Sequence, residues 1–149
     1  MTATADDAGS ETHADDAQRI LAGKLGVRPG QTVQQLGWDE DCDRALTEAV
    51  TAVAGTPLVD AEYQDVVDVV LLWYRDDDED LVDTLVDAIG PLADLGVVWL
   101  LTPKMGREGH VESADISDAA PTAGLSATST VSASPDWLGT RLVAPRARR

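Results

Sequence analysis

Val33-Gln-Gln-Leu-Gly-Trp-Asp-Glu-Asp41 decides the fold: a short apolar strand ends at Leu36 and Gly37, and a helical pattern begins a few residues later. A strand–turn–helix junction that holds a nucleotide cofactor needs several glycines, so that backbone N–H groups at the helix N-terminus can approach the phosphates or ribose. Here Gly37 stands alone, followed by an indole and three carboxylates. The junction predicts a fold of the cofactor-binding kind in which the cofactor loop itself is absent.

Outward from that junction the chain alternates. Residues 17–25 carry Ile20, Leu21 and Leu25 at helical spacing and stop at Gly26; Pro29-Gly30 is a turn, and residues 32–36 form the first strand. Ala45, Leu46, Ala49, Val50 and Val53 mark a helix over 41–54, ended by Gly55-Thr-Pro57, with Leu58-Val59 a brief strand after it. Residues 66–74 are the strongest strand signal, β-branched and apolar on both faces apart from Asp68, as a central parallel strand requires. Leu81, Leu85, Ile89 and Leu92 predict an amphipathic helix whose first turn, rich in carboxylates, complements its dipole. Gly96 opens a second buried strand over 97–101. Residues 105–110 are a Gly-rich loop, Ser113 is the expected N-cap of a helix to about Ala120, and Pro121 with Gly124 closes it. Two strands end the chain, over 125–131 and 137–143, joined by Ser134-Pro135-Asp136. This order predicts an α/β three-layer sandwich with a mostly parallel, Rossmann-like sheet that finishes in an antiparallel hairpin.

The 149 residues fit one domain over 16–145, with an acidic N-terminal tail over 1–15 that is read as disordered and a basic tail over 146–149. A net charge of −16 repels nucleic acid and anionic membrane surfaces, so neither is an expected partner. Four of the eleven basic residues, Arg141, Arg146, Arg148 and Arg149, gather at the C-terminus and moderate that acidity. No run of apolar residues reaches the length of a membrane span, and the polar N-terminus does not resemble a secretory signal. A single cysteine, Cys42, excludes an internal disulfide and fits a reducing compartment; the expected localisation is cytoplasmic.

No general base, nucleophile or metal-ligand set is visible in the pattern. Asp76-Asp-Asp-Glu-Asp80 lacks the spacing of a calcium loop and reads as helix N-terminal charging. His110 is a lone histidine in a loop, and His13 lies in the tail. Asp41 and Asp43 flank Cys42 and disfavour its thiolate. In open α/β sheets the crevice lies at the carboxyl ends of the strands, which places Trp38, Asp39, Tyr74, Arg75, Thr102 and Lys104 near one rim. Lys104 and Arg75 facing Asp39 and Asp41 read as a structural ion-pair network. Trp73 and Trp99 belong to buried strands, whereas Trp38 and Trp137 stand at turns where partial exposure is expected.

Leu25-Gly-Val-Arg-Pro-Gly-Gln-Thr-Val-Gln-Gln-Leu-Gly37 resembles the entry to the first strand of S-adenosylmethionine-dependent methyltransferases, and residues 68–73 resemble their fourth strand. Residues 92–101 resemble their passage into the fifth strand, and Ala123-Gly-Leu125 the turn before the sixth. Over residues 20–145 the chain is also similar to a family of short acidic proteins of high-GC Gram-positive bacteria, defined only as a domain of unknown function. That likeness is carried by Gly37-Trp-Asp-Glu-Asp41, residues 66–75, 80–90, 101–104, 109–112 and 119–125. The methyltransferase resemblance implies ribose recognition by an acidic residue after the second strand, where Asp60 stands. The short distance from the first strand to Val66 leaves room for one small strand, which truncates the adenosine pocket. Two expectations follow. In the first, the chain is a non-catalytic interaction or regulatory module with no cofactor. Its partner is a protein, basic in character, and it meets Trp38, Asp39, Glu40, Asp41, Arg75, Lys104 and His110. In the second, it is a small enzyme or ligand binder that uses S-adenosylmethionine or another nucleotide through Gly37, Trp38, Asp39 and Asp60. The terminal hairpin also offers an edge for a homodimer.

Overall fold

The computed structural model describes residues 25–78 and 80–144. The expected tail over 1–15, the helix over 17–25 apart from Leu25, and the basic tail over 146–149 lie outside the described residues, as do His13, Lys24 and Glu79. Five strands and three helices follow in order: β1 (Val33–Leu36), α1 (Arg44–Ala54), β2 (Val67–Trp73), α2 (Leu81–Ala88), β3 (Leu92–Pro103), α3 (Ser113–Thr122), β4 (Ser126–Ser132) and β5 (Trp137–Val143).

The sheet order is β1-β2-β3-β5-β4. β1, β2 and β3 run parallel, and β5 enters antiparallel between β3 and the edge strand β4. Alternation along the strands gives each face its own core. Val70, Leu72, Val98, Leu100 and Leu142 meet Leu85 and Ala88 of α2 and Ile116 and Ala120 of α3. Val69, Leu71, Trp73, Trp99, Leu101 and Trp137 meet Leu46 and Val50 of α1 on the other side. These are the three layers the sequence predicts. Asp68, the polar break in β2, has a structural use: its carboxylate accepts the N–H of Thr32 at 2.9 Å and anchors the start of β1. Between α1 and β2 the sheet gains only an isolated parallel bridge from Gln34 to Val59. The small extra strand is reduced to one residue pair.

Three local expectations need correction. α2 stops at Ala88 rather than reaching Leu92, because Pro91 has no N–H to continue the ladder; its carbonyl instead accepts Val67 N–H at 2.9 Å, and Leu92 already opens β3. The N-cap position of α3 is Glu112, with no side-chain cap bond, and Ser113 is the first helical residue. Trp137 is buried, not exposed, because its ring packs edge-on against Trp73 with centroids 4.9 Å apart. Among the described residues no helix is long and apolar enough to cross a membrane.

Candidate functional site

The carboxyl ends of β1 and β2 meet in a network of polar contacts centred on Arg75. Gly37 leaves β1 with φ +78°, a conformation open to glycine, and a Cβ there would overlap the carbonyl oxygen of Trp73. The turn that follows consumes its own amides. Asp39 N–H donates to Cys42 Sγ at 3.2 Å, Glu40 N–H to Asp39 Oδ1 at 2.7 Å, and Cys42 N–H to Asp39 O at 3.0 Å. Asp43 then caps α1 by accepting Leu46 N–H at 3.2 Å. A loop that cradles phosphate or ribose leaves such amides pointing outward; these point into the turn.

Arg75, two residues beyond β2, closes the turn from above. Its Nε and Nη2 donate to the two carboxylate oxygens of Asp41 at 3.0 and 2.7 Å, the two-pronged geometry for which guanidinium is shaped. Nη1 donates to the carbonyl of Gly37 at 3.0 Å and lies 3.5 Å from Asp78 Oδ2, while Nη2 also reaches Cys42 Sγ at 3.0 Å. The guanidinium sits 5.3 Å from the centre of the Trp137 ring, and Trp137 Nε1 donates to the backbone carbonyl of Asp41 at 3.1 Å. Asp41 is thus held at its carboxylate by one strand end and at its backbone by another. Trp38 meets Trp73 edge-on at 5.8 Å, with Arg44 stacked on it at 5.5 Å. Trp73 Nε1 donates to Gln35 Oε1 at 3.0 Å. Three indoles and one arginine therefore fill the crevice where β1 and β2 end.

The electrostatics follow from this clasp. The hydrogen bond from Arg75 holds the Asp41 carboxyl below its ordinary range, and the same bond holds Arg75 above its own. Burial pushes the Cys42 thiol up to about 11, so it is no nucleophile at neutral pH. Burial also raises the Tyr74 phenol, with Asp78, Asp80 and Asp76 adding to the effect.

Outside the clasp a recess of about 440 Å³ remains, lined by Asp39, Asp41, Asp77, Asp78 and Glu108 with Arg75, Arg107 and Gly109. Both of its arginines are committed, Arg75 to Asp41 and Arg107 to Asp136 at 3.1 Å. Trp38, Asp39, Asp41 and Arg75 are brought together at this end of the sheet, and Glu40 lies exposed in the same turn. Lys104 and His110 are not. Lys104 bonds to the Ser132 hydroxyl of the hairpin, and His110 Nδ1 lies 2.9 Å from the carbonyl of Pro103. Asp60 follows the isolated bridge at Val59, with its carboxylate accepting Glu62 N–H at 3.0 Å. Sequence reasoning passed over Cys42 and Trp137 as parts of this cluster. Among the described residues no set of His, Cys, Asp or Glu is arranged to hold a metal ion.

A family described as "Protein of unknown function (DUF3052)" matches residues 22–146. The chain belongs to that family. It is 51% identical over 140 residues to the uncharacterized protein Rv2239c of Mycobacterium tuberculosis, and equally to the uncharacterized protein Mb2263c of Mycobacterium bovis, covering 94% of this chain and 88% of each relative. Among solved structures it is similar to the pyocyanin biosynthetic protein PhzM, with a TM-score of 0.64 at 14% identity; 87% of this chain is covered, but only 54% of PhzM. A SAM-dependent methyltransferase from Aquifex aeolicus matches with a TM-score of 0.57 at 10% identity, covering 84% of this chain and 88% of that one. The chain spans about half the length of PhzM. At such identities the likeness establishes the fold, a methyltransferase-like α/β sandwich, for this member of the family.

Proposed function

We propose that this protein is a non-catalytic interaction module, a methyltransferase-like sheet whose cofactor crevice has become a docking rim for a basic segment of a protein partner. The observation that carries this reading is the clasp of Arg75 on Asp41 and Gly37 O beneath the Trp38–Trp73–Trp137 stack. These groups stand where the adenosylmethionine of a working methyltransferase would lie against the end of the first strand. The residues do not suit that cofactor. Three amides of the turn are used internally and are not free to meet it. The ribose pocket behind Asp60 is reduced to a single bridge.

What the same rim offers is charge and one aromatic anchor. Five carboxylates and two committed arginines line the recess, and Trp38 stands 37% exposed beside it. An exposed indole ringed by carboxylates is a common anchor for a lysine- or arginine-bearing partner. The competing reading keeps adenosylmethionine in the crevice, held by Gly37, Trp38, Asp39 and Asp60; the fold likeness favours it, and one pair of experiments separates the two. Calorimetric titration with S-adenosylmethionine and S-adenosylhomocysteine is expected to give no heat and no thermal stabilisation, and micromolar binding would overturn the module reading. Affinity capture from native lysate, repeated with the Trp38→Ala/Asp39→Asn double variant, is expected to lose its partner while the fold is retained. A partner set untouched by that variant would move the docking surface elsewhere.

A further inference from the structure

A second and larger cleft, about 680 Å³, lies on the opposite face of the sheet from the indole stack. It exists because β5 enters between β3 and β4. α3 packs through Ile116, Ala119 and Ala120 into the core that Val98, Leu100 and Leu142 form, and β4 is left outside that cover with six of its seven residues exposed. The floor is Leu138 and Thr140 of β5. One wall is Ser113, Ile116 and Ser117 of α3, and the other is residues 127–130 of β4. The volume is that of a small-molecule site, and Val111, Ile116, Ala127 and Leu138 lay an apolar strip between serine and threonine walls.

One end of this cleft carries a lysine, Lys104, with His110 and Glu112 beside it, in a chain of net charge −16. Lys104 is half-buried and donates to the neutral Ser132 hydroxyl; among the described residues no carboxylate lies within ion-pair distance of it. Glu112 stands at the rim with its carboxylate 3.6 Å from His110 Nε2, and that negative charge disfavours a head group carrying more than one charge.

We propose that this cleft binds a medium-chain monocarboxylate, its head group at Lys104 and its chain lying along Val111, Ile116, Ala127 and Leu138. The probe is octanoate, titrated into the full chain and followed by amide NMR, with octylammonium, 1-octanol and hexanoate as comparisons. Octanoate is expected to give saturable shifts centred on Val111, Ile116, Thr130 and Leu138, and octylammonium none. Each methylene removed should weaken binding about fourfold. Lys104→Gln is expected to weaken octanoate about tenfold and to leave 1-octanol unchanged. Ser117→Trp, at an exposed helix position, should fill the cleft and abolish both while the thermal midpoint stays unchanged. Absence of saturable shifts at millimolar octanoate, shifts centred elsewhere, or full octanoate affinity in Lys104→Gln would each overturn the proposal.

Discussion

Replacing Arg75 by Met keeps a long stem over Trp137 and removes the guanidinium, which makes it the sharpest test of the clasp. Three interactions dominate the loss, the longer contact with Asp78 and the one with Cys42 adding little. The two-pronged pair with Asp41 is discounted because the Asp41 side chain is 52% exposed, although Arg75 is only 14% exposed; such pairs contribute about 1 kcal/mol at most. The bond to the carbonyl of Gly37 contributes about 1 kcal/mol. The stack on Trp137 contributes about 0.5–1 kcal/mol. The expected loss is therefore about 2–3 kcal/mol, or roughly 5–10 °C in melting temperature for a chain of this size. Urea denaturation followed by tryptophan fluorescence measures it directly, since Trp73 and Trp137 are packed at the clasp. Asp41→Asn and the double variant complete a cycle with an expected coupling of about 1 kcal/mol. The coupling depends on pH with a defined sign. Asp41 titrates lower folded than its ordinary 3.8, so its contribution is fully present above that value and disappears as pH falls through the folded one. An Arg75→Met protein within about 0.5 kcal/mol of the parent, or a coupling unchanged well below pH 3.8, would refute the reasoning.

Two further outcomes test the turn beneath the clasp. Gly37→Ala combines a left-handed backbone with overlap of the Trp73 carbonyl, and is expected to cost about 3 kcal/mol or more, against about 1 kcal/mol for Gly55→Ala at a similar φ in open space; denaturation midpoints in the reverse order would contradict the packing at Gly37. The Cys42 thiol, pushed up to about 11 from 9.0, holds about a hundredfold less thiolate at neutral pH than an ordinary cysteine. Iodoacetamide labelling of the folded protein should be correspondingly slow and should speed up on unfolding; labelling at the rate of a free thiol would show that Cys42 is not shielded.

The layers and the terminal hairpin were legible because they rest on local signals. Residues 66–74 are apolar on both faces, and Ser134-Pro135-Asp136 punctuates the last two strands. The errors occur where a distant residue decides. Trp137 reads as a turn residue until Trp73, sixty-four positions earlier, supplies the wall it packs against. Arg75 and Lys104 stand at equivalent strand ends and read as one network. Arg75 follows β2 and faces the β1 turn, whereas Lys104 follows β3, whose other neighbour is β5, so it bonds to the hairpin at Ser132. The cleft beside β4 left no sequence signal, because its β4 wall, Ala127-Thr-Ser-Thr130, reads as a solvated edge strand.

The two sites share a cause in the register of β5. Trp137 pairs with Pro103 and Leu138 with Thr102, at the carboxyl end of β3. Successive strand residues face opposite sides of the sheet. Trp137 therefore joins the core of the α1 side and packs against Trp73 at the ends of β1 and β2, while Leu138 faces the α3 side and floors the cleft. A shift of one residue would put the leucine under the indoles and the tryptophan into the cleft, losing both at once. The acidic turn after β1 and Lys104 after β3 are held apart by β2, which lies between those strands. That arrangement puts the acidic turn and Lys104 on separate parts of one small sheet in a chain of net charge −16.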